Sequence, residues 1–592
     1  MSEQLMDTYR QRAEGFRSEK ESLTRTLYYN SILRLICFIF FGWFLYTSFQ
    51  KRFQGLEIGY AVLGLIAFLL FVIRASAIRK KTELLAQLIN INENEINLLN
   101  GKDSFLDDGS FFKTEKGFTA DLTVFGKRSL FHTLNRAGSV SGKRSLSRQL
   151  ANPSLDPATI QHYQSCIKEL AGKITFRQSL LAHTLLLKEE EALAQLQSPL
   201  LQEHFSFVQK APWLQLSRVW PIAGGFVIGY SVYKNSFSYV LALTLLGLLV
   251  LSPVFKKISQ LYNHISKRGY LFTQYATCFQ LIRNETMEHP YLLQKQQTIA
   301  DAEEAFRKLA RLMGVFDLRL SMLSFFINGL FLSDLLCAQA YLRWNKQYQP
   351  FIQSWFDTMG EIEALNSLAT FHSNHPGFVF PEITEESLLI KATALGHPLM
   401  RENAAIVNDA SIGSPAALHI ITGSNMSGKS TFLRTVGLNI ILAQTGAPVF
   451  AKKFLFKPVR LLTSFHHIDS LEESTSYFYA ELKCLQEIIH SLNDPQPALV
   501  LLDEVMRGTN SKDKHDGTAL LIRNLLDKHC LALIATHDTE LGILSATHPA
   551  GIENHCFESE ISANGLTFDF KMRDGVAQSK NATYLMRQMG IV

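Results

Sequence analysis

The residues best suited to chemistry lie in three short strings in the C-terminal third of the chain. The first is Gly423-Ser424-Asn425-Met426-Ser427-Gly428-Lys429-Ser430-Thr431. Its glycines let backbone N–H groups turn towards phosphate oxygens. Lys429 can neutralise charge on a β/γ-phosphate, and the Ser430 hydroxyl can reach a metal ion. The second string is Asp503-Glu504. The first acid suits Mg2+ through the metal's water shell, and the second is placed to orient and activate an attacking water. The third is Thr536-His537, where an imidazole can hydrogen-bond the γ-phosphate or that water. Together they point to a Mg2+-dependent ATP hydrolase with catalytic Glu504 and His537. Ser430 and Asp503 are the metal ligands, and Gly423 to Thr431 hold ATP. Each string alone has a plainer reading: a Gly-rich turn, a helix-capping acid pair, a core histidine.

Local pattern supplies the elements that must position these groups. Ala417-Leu-His-Ile-Ile-Thr422 is a short apolar run that predicts a buried strand. After the glycine loop, Phe432, Leu433, Val436, Leu438 and Ile440 recur at helical spacing. Strand, loop and helix in this order are the context that a phosphate-binding loop needs. Ala498-Leu-Val-Leu-Leu-Asp503 and Leu531-Ala-Leu-Ile-Ala-Thr536 read as two further buried strands, each delivering its functional side chains at the strand end.

Four other segments lack charge and are rich in Leu, Ile, Phe and Val: Leu35–Gln50, Ile58–Ile73, Val219–Tyr233 and Asn235–Phe255. The spacing predicts two helical hairpins. A membrane-spanning helix needs about 20 residues, so three of the segments are short, though Arg34, Trp220 and Tyr233 suit a membrane interface. Lysine and arginine are denser on the outer flanks than in the turns, which by the positive-inside bias places both flanks in the cytoplasm. The expectation is a multi-pass protein of the inner (cytoplasmic) membrane with its ATPase region facing the cytoplasm. A buried soluble hairpin is the alternative. A fifth stretch, Met322–Tyr341, contains Asn328 and Asp334 and reads as a buried soluble helix.

Lys80–Leu99 has Leu and Ile at helical spacing, and Asp121 to Pro153 reads as strand, turn, then helices. Lys127, Arg128, Lys143, Arg144 and Arg148 are more naturally a solvated face than a phosphate site. Residues 256–375 read as mostly helical, with Pro376, Gly377 and Pro381 punctuating their end and strands following. Bulk charge decides little: 58 Lys and Arg face 53 Asp and Glu, too small a surplus for a strong nucleic-acid footprint. Seven scattered cysteines without a Cys-x-x-Cys pair argue against a zinc site or a disulfide framework and fit a reducing compartment.

The strings resemble the MutS family of DNA mismatch-repair ATPases. Thr422 to Thr431 is similar to that family's TGPNMGGKST loop, Asp503-Glu-Val-Met-Arg-Gly-Thr509 to its DEIGRGT segment, and Ala535-Thr-His537 to its ATH. Ser476-Tyr-Phe-Tyr-Ala-Glu481 resembles its STFxxE stretch, which implies that Ser476 is a catalytic group reaching the nucleotide of a dimer partner. Ile362 to Ala369, Pro381-Glu-Ile383 and Gly396-His-Pro398 resemble the joint between helical core and ATPase. The resemblance runs over residues 118–592 and is most specific from 360 onward. It implies an α+β multidomain protein. A mostly helical MutS-like core carrying two transmembrane helical hairpins is followed by a C-terminal α/β P-loop (ABC-type) ATPase domain. The expected divisions are 1–30 N-terminal segment, 31–75 first hairpin, 76–117 helical linker, 118–211 connector and core, 212–256 second hairpin, 257–380 helical core and lever, and 381–592 ATPase. The implied partners are ATP with Mg2+, DNA bound by a nucleotide-driven clamp, the membrane, and a second copy completing composite ATPase sites.

Departures from the family pattern are also legible. The mismatch-reading domain is not recognisable, and Ala405 stands at an adenine-stacking aromatic position. Ser474 replaces a glycine, and the late Asn-x-His is Asn554-His555-Cys556, with the histidine one place off. Ser-Tyr-Gly has become Lys580-Asn-Ala-Thr583, and a C-terminal dimerisation tail is not expected. An ABC-type transport ATPase and an ATP-gated membrane scaffold without DNA binding are the competing functions. Against transport, no Leu-Ser-Gly-Gly-Gln string occurs.

Overall fold

A computed structural model describes residues 2–50, 56–187, 206–234, 236–265, 269–321, 323–385, 388–413, 416–465, 477–506, 509–562 and 565–578. The helices before the first strand are, in chain order, α1 (Ser2–Gln50), α2 (Glu57–Leu99), α3 (Phe118–Asp121), α4 (Leu130–Leu134), α5 (Val140–Ala151), α6 (Pro157–Ala171) and α7 (Ile174–Leu185). They continue with α8 (Ala211–Tyr233), α9 (Ser238–Ile265), α10 (Gly269–Asn284), α11 (Pro290–Thr298), α12 (Ala302–Phe316), α13 (Ser324–Phe331) and α14 (Ser333–Asn374). The chain divides into two compact units. One comprises Met1–Ile96, Ala137–Gly142 and Thr175–Glu363; the other comprises Asn97–Arg136, Lys143–Ile174 and Ala364–Val592.

The first unit is helical. Its apolar runs at the N-terminus are the far ends of two much longer helices, α1 and α2, which lie antiparallel. Polar ends clasp the pair: Arg17 pairs with Glu93, and Lys81 Nζ lies 2.6 Å from Glu19. Within the apolar part, Asn30 Nδ2 donates to the Phe71 carbonyl at 2.9 Å. At the polar end Leu85, Leu88 and Ile91 of α2 bury with Leu181 and Ala182 of α7. An aromatic core formed by Phe272, Tyr275, Phe279, Phe306, Trp344 and Phe356 joins α10, α12 and α14.

Among the described residues three helices are long and apolar enough to cross a membrane, Glu3–Gln50, Glu57–Leu99 and Ser238–Asn263, and the bent pair Ser324–Phe331 with Ser333–Asn374 passes the same test as one broken span. The expected span Val219–Tyr233 lies in α8, which contains Arg218 and Pro221 and is not among the three. One correction concerns Met322–Tyr341. The segment is not one helix but two, α13 and α14, bent by 73° at Leu332, whose φ is 51°. The short α13 packs on both α8 and α9 through glycines. A Cβ at Gly247 would come within 1.9 Å of the Gly329 carbonyl oxygen, and one at Gly224 within 2.3 Å of that of Leu330. Trp220 Nε1 donates to the Gly329 carbonyl at 2.9 Å.

The second unit is α/β. The strand expected around Asp121 is instead the short helix α3. Gly117 and Gly126, at φ 83° and 102°, and Thr123, at φ 55°, turn the backbone too tightly for an extended run. The strands are β1 (Glu382–Ile383), β2 (Ile390–Leu395), β3 (Asn408–Ile412), β4 (Leu418–Gly423), β5 (Lys453–Phe456), β6 (Arg460–Ser464), β7 (Ala498–Asp503), β8 (Cys530–Thr536), β9 (Ile552–Ser562) and β10 (Gly565–Asp574). Interleaved helices are α15 (Lys429–Gln444), α16 (Tyr477–Ser491), α17 (Ser511–Leu526) and α18 (Leu544–Thr547). The larger sheet has the order β10-β9-β4-β8-β7-β6 and is parallel except for the β9–β10 hairpin. β4, β7 and β8 are buried throughout, as expected for central parallel strands covered on both faces. Register sets their ends level: Thr422 pairs with Thr536, and Asp503 with Ala535. The three predicted strings therefore meet at one edge of the sheet.

Candidate active site

The loop leaving β4 turns on glycines that other residues cannot replace. Gly423 has φ 154°, and a Cβ there would lie 2.7 Å from the Phe557 carbonyl and 2.8 Å from Ser427 Oγ. Gly428, at φ 111°, precedes the first residue of α15 and offers no side chain to cap it. The first-turn N–H groups of α15 are thus available to an anion at the positive end of the helix dipole. Met426, at the loop tip, has φ 65° and is highly exposed, and Asn425 and Thr431 are exposed too. Ser427 Oγ is buried without a hydrogen-bond partner among the described residues.

Lys429 is buried, and its ammonium donates back to the Gly423 and Ser424 carbonyls at 2.9 and 2.8 Å. His537 stands beside it. His537 Nδ1 lies 2.7 Å from the Gly423 carbonyl and 3.5 Å from Lys429 Nζ, while Nε2 faces the Glu504 carboxylate. With Nδ1–H donated to Gly423, the contact to Glu504 needs one more proton, on Nε2 or on the carboxylate. The two proposed catalytic groups are therefore linked in one network with the phosphate loop.

Asp503 lies at the end of β7, 1% exposed, and neither carboxylate oxygen has a hydrogen-bond partner among the described residues. A buried, unpartnered carboxylate is costly unless a cation or its water shell lies against it. The donor set, a carboxylate with the Ser430 hydroxyl in the first turn of α15, is hard and oxygen-only, as Mg2+ requires. Glu504, with φ 50°, is held in the left-handed region, and its N–H donates to Ala535 at 2.9 Å. Such strain at a non-glycine residue is characteristic of functional loops.

One group that sequence reasoning quoted but gave no role is Glu481 of α16. It is buried, and its carboxylate accepts from the Met506 N–H at 2.6 Å, fixing the turn that follows Glu504. Ser476, Ser474, Arg507 and Lys580 to Thr583 lie outside the described residues.

Comparison with known proteins bears on this edge of the sheet. Residues 419–590 match the family model of MutS domain V. A DNA mismatch repair protein MutS of Thermotoga maritima is 31% identical over 250 residues, 42% of this chain and 31% of that protein. Human MutS protein homolog 4 is 32% identical over 236 residues, 38% of this chain and 24% of that protein. Over residues 419–590 this chain is similar to the MutS family. The chain thus spans less than a third of the length of these MutS relatives. The MutS match begins within β4 and takes in the loop, Asp503, Glu504 and His537, so the segment shared with the family is the one that assembles the site.

Proposed function

We propose that this MutS-like chain is a membrane-anchored, Mg2+-dependent ATPase that acts on DNA as a nucleotide-driven clamp. The observation that carries the catalytic part is the buried Asp503 carboxylate without a partner, level with a glycine loop, Lys429 and the Glu504–His537 pair. In this reading Gly423 to Thr431 wrap the ATP phosphates, and the Lys429 ammonium transfers from loop carbonyls to phosphate oxygens. Glu504 accepts a proton from the attacking water, and His537 holds that water or the γ-phosphate. Asp503 and Ser430 would hold Mg2+, which when bound neutralises charge on the β/γ oxygens. Ser476 of a second copy completes the site from across a dimer, so that ATP favours the closed dimer over the open one.

Support for the membrane part comes from the apolar halves of α1, α2 and α9. Ile39, Trp43, Leu63, Leu70 and Leu249 are all exposed, on helices long enough to cross a bilayer. An apolar surface of this extent needs a cover, and the flanking positive charge supports a cytoplasmic side for the ATPase unit. Support for DNA comes from the matched relatives, one of which is named as a DNA mismatch repair protein.

The deciding measurement is ATP hydrolysis by the detergent-solubilised chain, with Mg2+ and with EDTA, alongside binding to homoduplex, mismatched, branched and single-stranded DNA at graded salt. Mg2+-dependent hydrolysis abolished by Glu504→Gln supports the catalytic reading, and hydrolysis indifferent to that change sinks it. Salt-dependent retention of any of the DNA forms supports the clamp; none at low salt would leave an ATP-gated scaffold. For the membrane, a cysteine at Leu56, between α1 and α2, should label from outside intact cells and one at Ser511 should not.

A further inference from the structure

At the opposite end of β4 from the phosphate loop, three potential ligands converge on one face of the sheet. β4 and β9 are parallel neighbours, with His419 opposite Glu553 and Ile421 opposite His555. Side chains two apart on a strand share a face, so Glu553 and His555 both project beside His419. The His419 Nδ1 and His555 Nε2 atoms are 2.9 Å apart. One oxygen of Glu553 lies 3.6 Å from the first and 3.7 Å from the second.

Each outer nitrogen has a neighbour of its own. His419 Nε2 lies 3.1 Å from the Ala416 carbonyl, which can only accept, so Nε2 carries the proton and Nδ1 is left as a lone pair. His555 Nδ1 lies 3.2 Å from a carboxylate oxygen of Asp574. Two imidazole nitrogens and a carboxylate oxygen thus face one another within 3.7 Å, close enough for one cation to touch all three.

We propose that His419, Glu553 and His555 bind a divalent transition-metal ion, zinc in first place. The point equidistant from the three donor atoms lies about 2.0 Å from each, the length of zinc–imidazole and zinc–carboxylate bonds. Two imidazoles and a carboxylate suit zinc and its neighbours rather than Mg2+ or Ca2+. Asp574 beside His555, and the Ala416 carbonyl beside His419, are the outer partners that orient metal-bound histidines. The cluster opens on a pocket lined also by Asn408 and Lys571, leaving a coordination position for water. The Lys571 ammonium is drawn to the Val407 carbonyl at 2.7 Å. No cysteine takes part, so the cysteine spacing that argued against zinc does not bear on this site. A bound ion would tie β9 to β4 near the start of the strand that ends in the phosphate loop.

The test uses the full chain in detergent, stripped with EDTA, dialysed and titrated with Co2+ for visible d–d absorption and with Zn2+ for bound metal by mass spectrometry. One equivalent per chain is expected. His419→Gln, Glu553→Gln and His555→Gln should each weaken binding about 100-fold or more. Asp574→Asn, at a fully exposed side chain that folding does not depend on, should weaken it about 10-fold, the scale of an outer partner. His515→Gln, in a separate cluster with Asp538 and Glu540, should leave it unchanged. Absence of a bound equivalent in the wild type overturns the proposal, and so does binding that survives the first three variants or disappears with His515.

Discussion

The two ends of β4 place charge in opposite ways. At its C-terminal end a buried cation, Lys429, and a buried anion, Asp503, are kept apart by a loop whose backbone N–H groups face outward. At its N-terminal end three potential ligand atoms converge: two imidazole nitrogens 2.9 Å apart with a carboxylate behind them. The first arrangement can receive an anion and a hard cation together, as a nucleotide with Mg2+ demands. The second, two imidazoles and a carboxylate, suits a softer cation. A single strand can thus carry two sites whose ligands do not compete, because β4 pairs along its length with β8 on one side and β9 on the other, and each site uses a different end.

Variants at each end should break one site and spare the other. The largest effect is expected from Glu504→Gln. ATP hydrolysis should fall by about 10²- to 10⁴-fold with nucleotide still bound, the range of general-base loss, and a normal turnover rate would mean that another group is the base. Next comes Lys429→Ala, which should weaken ATP binding about 10³-fold, the scale of losing a charged donor from a desolvated site. The Co2+ absorption should be untouched, and a lysine variant that loses both ligands would show that the two ends are one cooperative unit.

His397 sharpens the comparison as a half-buried histidine outside either His/carboxylate cluster. Burial, and then Arg434, push it down to about 4. A base whose folded value lies below its unfolded value of about 6.5 contributes stability above pH 6.5 and loses it as pH falls towards 4. His397→Gln should therefore flatten the acid limb of a denaturation profile between those values, by at most about 3 kcal/mol. An unchanged limb would assign the acid sensitivity elsewhere. The smallest effect is expected from Glu481→Gln. Its amide oxygen still accepts from Met506, but without the charge, and hydrolysis should slow about 10-fold with ATP affinity kept. A loss as deep as that of Glu504→Gln would place Glu481 in the chemistry itself.

The nucleotide edge was legible because each piece is local: a glycine loop between strand and helix, and acids or a histidine at the ends of apolar runs. Asp121 misled because extended residue types there are overruled by left-handed turns at Gly117, Thr123 and Gly126. The break at Leu332 could not be read from composition, since apolar residues continue through it. The histidine cluster was illegible for a different reason. His419 and His555 lie 136 residues apart, and only the β4–β9 register brings them together. Alternation of Glu553 and His555 on one strand was the available signal, and it gains meaning only once the neighbouring strand is known.

The glycine contacts of α13 impose a timetable on synthesis. Gly224 and Gly247 are translated first, and the slot they form exists only after α8 and α9 have paired; Gly329 emerges later and has nowhere to dock until then. An eight-residue helix, about 12 Å long, holds little structure by itself. α13 is therefore a late key cut for a lock already closed, and a ribosome stalled before Gly329 would leave that lock exposed to whatever small-faced helix came by.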